Sequence, residues 1–249
     1  MAGSFGASLV SPQEFVRTRW RRAAAGLFLF GVSFGYVEAA VVVYLRTIYE
    51  PIRSQVHRDR PASEPVPLMT LDEVRATAPE KSWLARVEVV REAGTLVMLA
   101  AVAMVVTGAP HLWPPAFCVA FGTWDLFYYV FLKWLVDWPD SLLTWDVLFL
   151  IPVPWVAPVL APIVVSLSLI AGGLAALKRT VRMKLVHWTI LALGGILILL
   201  SFMVDFRNTL SGGLPHPFAW STFVIGELAG VGAFLHALTT SAPQAGLKK

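Results

Sequence analysis

Six long apolar stretches constrain the fold of this chain more than any other feature. The hydrocarbon core of a bilayer is about 30 Å thick, and about 20 apolar residues in a helix cross it. Stretches of that length lie at 23–46, 84–107, 113–136, 157–177, 185–205 and 218–240. The first stretch has no small-residue cleavage site at its end, which favours an uncleaved span over a signal peptide. The sequence therefore predicts an all-α fold in one domain over 1–249: a polytopic transmembrane helix bundle with six spans.

The composition agrees with this class. Hydrophobic residues make up 57% of the 249 residues and charged residues 14%, which leaves too little polar surface for a water-soluble globule of this size. The net charge is +4, but the basic residues lie at the ends of the apolar stretches. That distribution sets orientation in a bilayer and does not form a basic binding face, so we expect a lipid bilayer as partner and no nucleic acid.

The same basic residues predict the orientation of the chain. Lys and Arg are enriched on the cytoplasmic side of membrane proteins. If the N-terminus is cytoplasmic, one side collects Arg17, Arg19, Arg21, Arg22, Lys178, Arg179, Arg182, Lys184, Lys248 and Lys249. Both termini are then cytoplasmic, and the long loop at 47–82 lies outside.

The segment 141–177 is too long for one span and too short for two. Asp140 or Ser141 can cap a helix, and prolines from Pro152 onward interrupt it. About 11 helical residues reach only ~17 Å, roughly half of the membrane core. We therefore predict a re-entrant or interfacial half-helix over 141–151 on the outer side. The alternative is one long, kinked helix.

Ionisable side chains inside the apolar segments are the candidate functional residues. Each costs about 2.5–3.5 kcal/mol at the centre of a span on insertion scales, so a functional role is the default interpretation. The candidates are Glu38, Glu88, Arg91, Glu92, Asp125, Lys133, Asp146 and Glu227. Counted along their helices, the carboxylates lie near the midplane or in the outer half. We expect one polar chamber, open or nearly open to the outside, with Arg91 as its main counter-charge. Its carboxylates would be Glu38, Glu92, Asp125 and Glu227.

The charge balance of such a chamber suggests its chemistry. Because carboxylates outnumber basic side chains, either some carboxylates hold protons or a cation binds. Oxygen ligands favour a hard divalent cation such as Ca²⁺, Mg²⁺ or Mn²⁺, and the four carboxylates are its possible ligands. Paired carboxyl groups also suit general acid–base catalysis. The sequence thus predicts a chamber that handles a cation, a proton or a polar group of a membrane-embedded substrate, by transport or by lipid-phase catalysis.

The same charges also allow a structural interpretation. Glu88 with Arg91, and Asp125 with Lys133, can be buried ion pairs that fix the register of helices. The chain would then be an accessory or scaffold subunit of a larger membrane complex. A stable monomer or homo-oligomer would favour the chamber, and obligate co-purification with other subunits would favour the scaffold.

Several cofactor classes are not expected. The sequence has no Glu-x-x-His pair for a di-iron centre, no His-Glu-x-x-His, no P-loop and no dinucleotide-binding fingerprint. His187 and His236 lie towards the predicted cytoplasmic side, and no intramembrane histidine pair is expected. We therefore expect no haem, flavin or nucleotide.

Two neighbouring stretches resemble a known family. Residues 121–133 read FGTWDLFYYVFLK, and residues 138–155 read WPDSLLTWDVLFLIPVPW. With the segments around Glu38 and around Glu88–Thr95, they resemble a family of bacterial polytopic membrane proteins that are usually labelled uncharacterised. The resemblance implies a bundle of about six spans in the bacterial plasma (inner) membrane. It implies no activity.

Overall fold

The computed structural model describes residues 19–58, 69–213 and 215–241. Six of the helices in these ranges are long and apolar enough to cross a membrane, which confirms the predicted helical membrane bundle. In chain order the elements are α1 (Trp20–Val56), α2 (Leu71–Thr77), α3 (Leu84–Thr107), α4 (Trp113–Val136), β1 (Trp145–Phe149), β2 (Trp155–Pro158), α5 (Leu160–Lys178), α6 (Leu185–Met203), α7 (Phe206–Leu210) and α8 (Trp220–Thr240).

The six long helices run alternately up and down, so the bundle has two ends. At the end where α1 begins, Nζ of Lys178 lies 5.8 Å from the centre of the Trp20 ring. At the same end, the backbone N–H of Arg182 donates to Oγ of Ser241 at 2.9 Å. We call this the basic end. The opposite end, where α4 ends and β1 and β2 begin, is the hairpin end.

Glycines allow two pairs of helices to approach closely. A Cβ atom added to Gly122 of α4 would lie 2.6 Å from the carbonyl oxygen of Ser166 on α5. One added to Gly194 of α6 would lie 2.7 Å from the carbonyl oxygen of Gly226 on α8. In a membrane, van der Waals packing between small residues drives helix association. The α4–α5 pair and the α6–α8 pair are therefore tightly packed units.

The half-helix predicted over 141–151 is wrong, because this segment forms one strand of an antiparallel β-hairpin. Asp146 is opposite Ala157, and Phe149 is opposite Trp155. Aromatic and β-branched side chains on both strands favour a pleated surface. Pro152, at the turn, also cannot continue a helix.

The hairpin reaches in among the helices. The ring of Phe149 lies 6.1 Å from that of Trp124 on α4. Non-helical backbone at membrane depth needs hydrogen-bond partners within the protein. One comes from a side chain, because the Leu150 N–H donates to Oε2 of Glu92 at 2.8 Å. Another comes from backbone, because the Val159 N–H donates to the Thr144 carbonyl at 2.9 Å.

The loop predicted over 47–82 also differs in part. The helix α1 continues to Val56, and α2 lies within the predicted loop. The Thr70 hydroxyl caps α2 by accepting from the Glu73 N–H at 3.1 Å. Partial burial raises the pKa of Glu73, whereas hydrogen bonds from Thr70 and the neighbouring His57 lower it. The lowering effects together are larger, so the pKa of Glu73 is below its ordinary value. Residues 59–68 of the predicted loop lie outside the described residues.

Candidate functional site

Arg91 joins α1 to α3 through two carboxylates. Its guanidinium contacts Oε2 of Glu38 at 2.5 Å and Oε1 of Glu88 at 2.6 Å. A further bond from Nε to Oε2 of Glu88, 2.9 Å long, makes the second contact bidentate. The side chains are largely shielded from solvent, with 24% of Arg91 and 9% of Glu38 exposed. The predicted Glu88–Arg91 ion pair is present, and Arg91 also neutralises a carboxylate of another helix.

Glu92 lies next to this ion cluster but connects to the hairpin. Glu92 is buried, and its Oε2 accepts a hydrogen bond from the N–H of Leu150, the residue that follows β1. A void of about 20 Å³ is lined by Glu38, Arg91, Glu92 and Thr95 among others. A void of this size and polarity is large enough for one water molecule. Glu92 therefore couples the ion cluster to the position of the hairpin.

Asp146 fixes the other side of the hairpin. The hydroxyl of Tyr129 on α4 donates to Oδ2 of Asp146 at 2.9 Å, and both side chains are buried. A buried polar side chain without such a partner would cost the full desolvation penalty. The bond holds β1 against α4, so Asp146 is a positioning residue for the hairpin.

Asp125 and Glu227 lie in a different environment. Oδ2 of Asp125 accepts from Oγ of Ser166 at 2.7 Å. Glu227 interacts with Ser168, which lies two residues after Ser166 on α5. The Oε1 atom of Glu227 is buried and has no hydrogen-bond partner. Among the described residues, no basic side chain compensates either carboxylate.

Both carboxylates line a cavity of about 1110 Å³ between the α4–α5 pair and the α6–α8 pair. Its walls are mostly apolar and include the rings of Phe117, Phe121, Phe149, Trp155, Phe202 and Phe234. The cavity reaches the basic end at His111, Arg179 and Trp188. Counted along the helices, Asp125 lies about 18 Å from the start of α4, and Glu227 about 20 Å from the end of α8. The two carboxylates are thus at similar depth, near the middle of the bundle.

The single chamber predicted from the sequence is divided in two. Glu38 and Glu92 line the small void, and Asp125 and Glu227 line the large cavity. Phe149 of the hairpin belongs to both walls, so the hairpin stands between them. The large cavity reaches the basic end, and the opening to the outside stays a prediction. Helical spacing does not give the direction in which a side chain points, so the sequence joined two groups that the hairpin separates.

Two further site predictions differ from the structure. Lys133 does not pair with Asp125; its Nζ lies 2.7 Å from Oδ1 of Asp137, and half of its side chain is exposed. A long lysine near a helix end extends towards water, and Asp125 is two turns away. The predicted metal site is not formed either, since the described residues contain no group of three or more metal-ligating side chains.

A histidine pair is present that the sequence did not predict. Nδ1 of His187 accepts the N–H of Lys184 at 3.0 Å. The neutral ring therefore carries its proton on Nε2 and donates to Nδ1 of His236, 3.0 Å away. The glycines of α6 and α8 could have indicated this pair. Close packing of Gly194 on Gly226 fixes the register of the two helices, which brings the histidines together.

No protein-family model, no curated protein and no solved structure matches the chain.

Proposed function

We propose that this protein binds the polar group of a membrane-embedded molecule in the cavity between the α4–α5 and α6–α8 pairs, at Asp125 and Glu227. One observation carries the proposal. Two carboxylates at similar depth line one large apolar cavity, and no basic side chain of the described residues pairs with them. Intramembrane ionisable residues are costly, and those that line a cavity mark substrate or ion pathways.

The dimensions of the cavity support binding of a whole molecule. Ligand sites are typically ~300–1,000 Å³, mostly apolar, with a few polar groups that orient the ligand. This cavity, at about 1110 Å³, matches that pattern. Both transport and lipid-phase catalysis require such a binding step, and the proposal concerns this common step.

The location of the protein is part of the proposal. The charged residues described at the basic end are all basic, namely Arg19, Arg21, Arg22, Lys178, Arg179, Arg182 and Lys184, whereas the hairpin end carries both basic and acidic residues. With the rule that basic residues face the cytoplasm, this supports cytoplasmic termini in a bacterial plasma membrane. The cavity would then reach the membrane surface on the cytoplasmic side.

The ion cluster has a supporting role in this proposal. Arg91 ties α1 to α3, and Glu92 holds the tip of β1. Through Phe149 and Trp155, the hairpin supplies part of the cavity wall. The cluster therefore shapes the cavity without facing the ligand.

Filling the cavity tests the proposal. Gly195 of α6 lines the cavity, and a Cβ atom added to it meets nothing within 4 Å. A Gly195→Phe variant should therefore fold and occupy part of the ligand volume. In native mass spectrometry of protein released from nanodiscs, we expect the wild type to carry a bound small molecule and Gly195→Phe to lose at least about nine-tenths of that occupancy, a change of about 1.4 kcal/mol or more in binding.

The matched control is Gly232→Phe on α8. Gly232 is exposed, lies outside the cavity lining and also has open space at its Cβ. It should retain the bound molecule. Equal occupancy in all three proteins would contradict the proposal. Obligate co-purification with other protein subunits, without a bound small molecule, would instead support the scaffold alternative, which the structural Glu38–Arg91–Glu88 cluster favours.

A further inference from the structure

We infer that the ligand of the cavity is a hydrophobic cation: a molecule with a positively charged nitrogen or phosphorus centre on a bulky apolar body. This inference rests on the proposed function and names the chemical class that the site would take. It is carried by the charge, the walls and the depth of the cavity.

The acidic groups of the interior favour a cation over an anion. Among the described residues, Asp125 has the Ser166 hydroxyl as its side-chain hydrogen-bond partner, and Glu227 interacts with Ser168 while its Oε1 has no partner. The charged groups that act on Asp125 are themselves acidic, namely Asp146 and Glu38. In a region of low dielectric constant, a bound positive charge interacts strongly with such carboxylates. A negative group would add to their repulsion.

The walls suit a cation with a large apolar body. Aromatic rings face the cavity from the α4, hairpin, α6 and α8 sides, and include Phe121, Phe149, Phe202 and Phe234. Faces of aromatic rings attract cations, and the attraction is larger when the cation is desolvated. The remaining lining residues are mainly aliphatic. The apolar body of the ligand would contact these side chains in place of the lipid that it contacts outside the protein.

The depth of the carboxylates argues against the headgroup of a phospholipid. Asp125 and Glu227 lie about 18–20 Å from the basic end, far below the headgroup region of a bilayer whose core is about 30 Å thick. A phospholipid in the cavity would place its phosphate near Arg179 and leave both carboxylates against its acyl chains. A compact hydrophobic cation can reach them.

Two probes of equal shape and opposite charge test the inference. Tetraphenylphosphonium is a hydrophobic cation, and tetraphenylborate is its anionic counterpart. Equilibrium dialysis against the full-length protein in nanodiscs, corrected for empty nanodiscs, gives the Kd of each. We expect wild type to prefer the cation, and Asp125→Asn and Glu227→Gln each to weaken cation binding about tenfold or more. The control is Glu50→Gln, which removes an exposed carboxylate of α1 outside the cavity and should change nothing.

The outcomes separate this inference from the proposed function. If tetraphenylborate binds more tightly and Gly195→Phe blocks it, the cavity binds ligands but the cationic class is wrong. If neither probe responds to Gly195→Phe, the proposed function fails as well. Should a carboxylate variant not fold, the wild type alone suffices: tetraphenylphosphonium should protect Asp125 and Glu227 from modification by dicyclohexylcarbodiimide, read by peptide mass spectrometry. Modification that is unchanged by the cation would overturn the inference.

Discussion

Replacing Arg91 with methionine is expected to destabilise the protein by about 3–5 kcal/mol. The reason is that Arg91 is the shared partner of two carboxylates. Its removal leaves Glu38 and Glu88 close together in a poorly solvated site with no compensating charge. The free energy of unfolding, measured by titration with denaturing detergent in mixed micelles, gives the change.

Three further variants make this result specific. Arg86→Met on the same helix removes an exposed arginine and should change stability by less than about 0.5 kcal/mol. Arg91→Lys should retain part of the stability, because lysine keeps the charge but not the bidentate geometry. A triple variant that also carries Glu38→Gln and Glu88→Gln should recover much of the loss, since both carboxylates that Arg91 neutralises are removed with it. An Arg91→Met protein as stable as the wild type would contradict the structural role of the cluster.

The second large effect is expected from Gly122→Leu, at about 3 kcal/mol of destabilisation. The new Cβ would lie 2.6 Å from the Ser166 carbonyl oxygen and 2.9 Å from Cγ1 of Ile170. Backbone cannot rotate away from such a contact, so α4 and α5 must separate. The separation would also break the Asp125–Ser166 hydrogen bond, one turn from the clash. Detergent unfolding again measures the loss of stability.

The matched control for this variant is Gly94→Leu on α3. Gly94 is also within a spanning helix, but a Cβ added to it meets nothing within 4 Å. The two variants add the same side chain and the same helix propensity. We expect Gly94→Leu to be at least as stable as the wild type, because leucine is the better helix former. Equal stabilities for the two variants would show that α4 and α5 do not pack as closely as described.

The sequence predicted the spanning helices well because length and hydropathy are strong, local signals. Each predicted span overlaps one of the six long helices of the structure. The hairpin was missed because its evidence is non-local: the strand around Asp146 is stable only when paired with the segment that follows Pro154. Tyr129 and Glu92 then provide hydrogen bonds from two other helices. None of these contacts is visible in the window that predicted a half-helix.

Only part of the candidate site could be predicted from the sequence, because the contacts between helices are also non-local. Residue spacing within one helix gives depth and shared faces, which correctly paired Glu88 with Arg91. Whether carboxylates on different helices meet depends on helix rotation and on what lies between them. The hairpin, with Phe149 at its tip, stands between Glu92 and Asp125 and divides the site. Ser166 and Ser168 were not singled out, because a serine in an apolar span carries little signal without its partner.

The most direct test of the central claim is an experimental density map of the protein in nanodiscs, at a resolution that shows bound lipids and small molecules. We expect density for a bound molecule between the α4–α5 and α6–α8 pairs, in contact with Asp125 and Glu227. A map in which the two helix pairs close on each other, or in which either carboxylate points into the surrounding lipid, would contradict it.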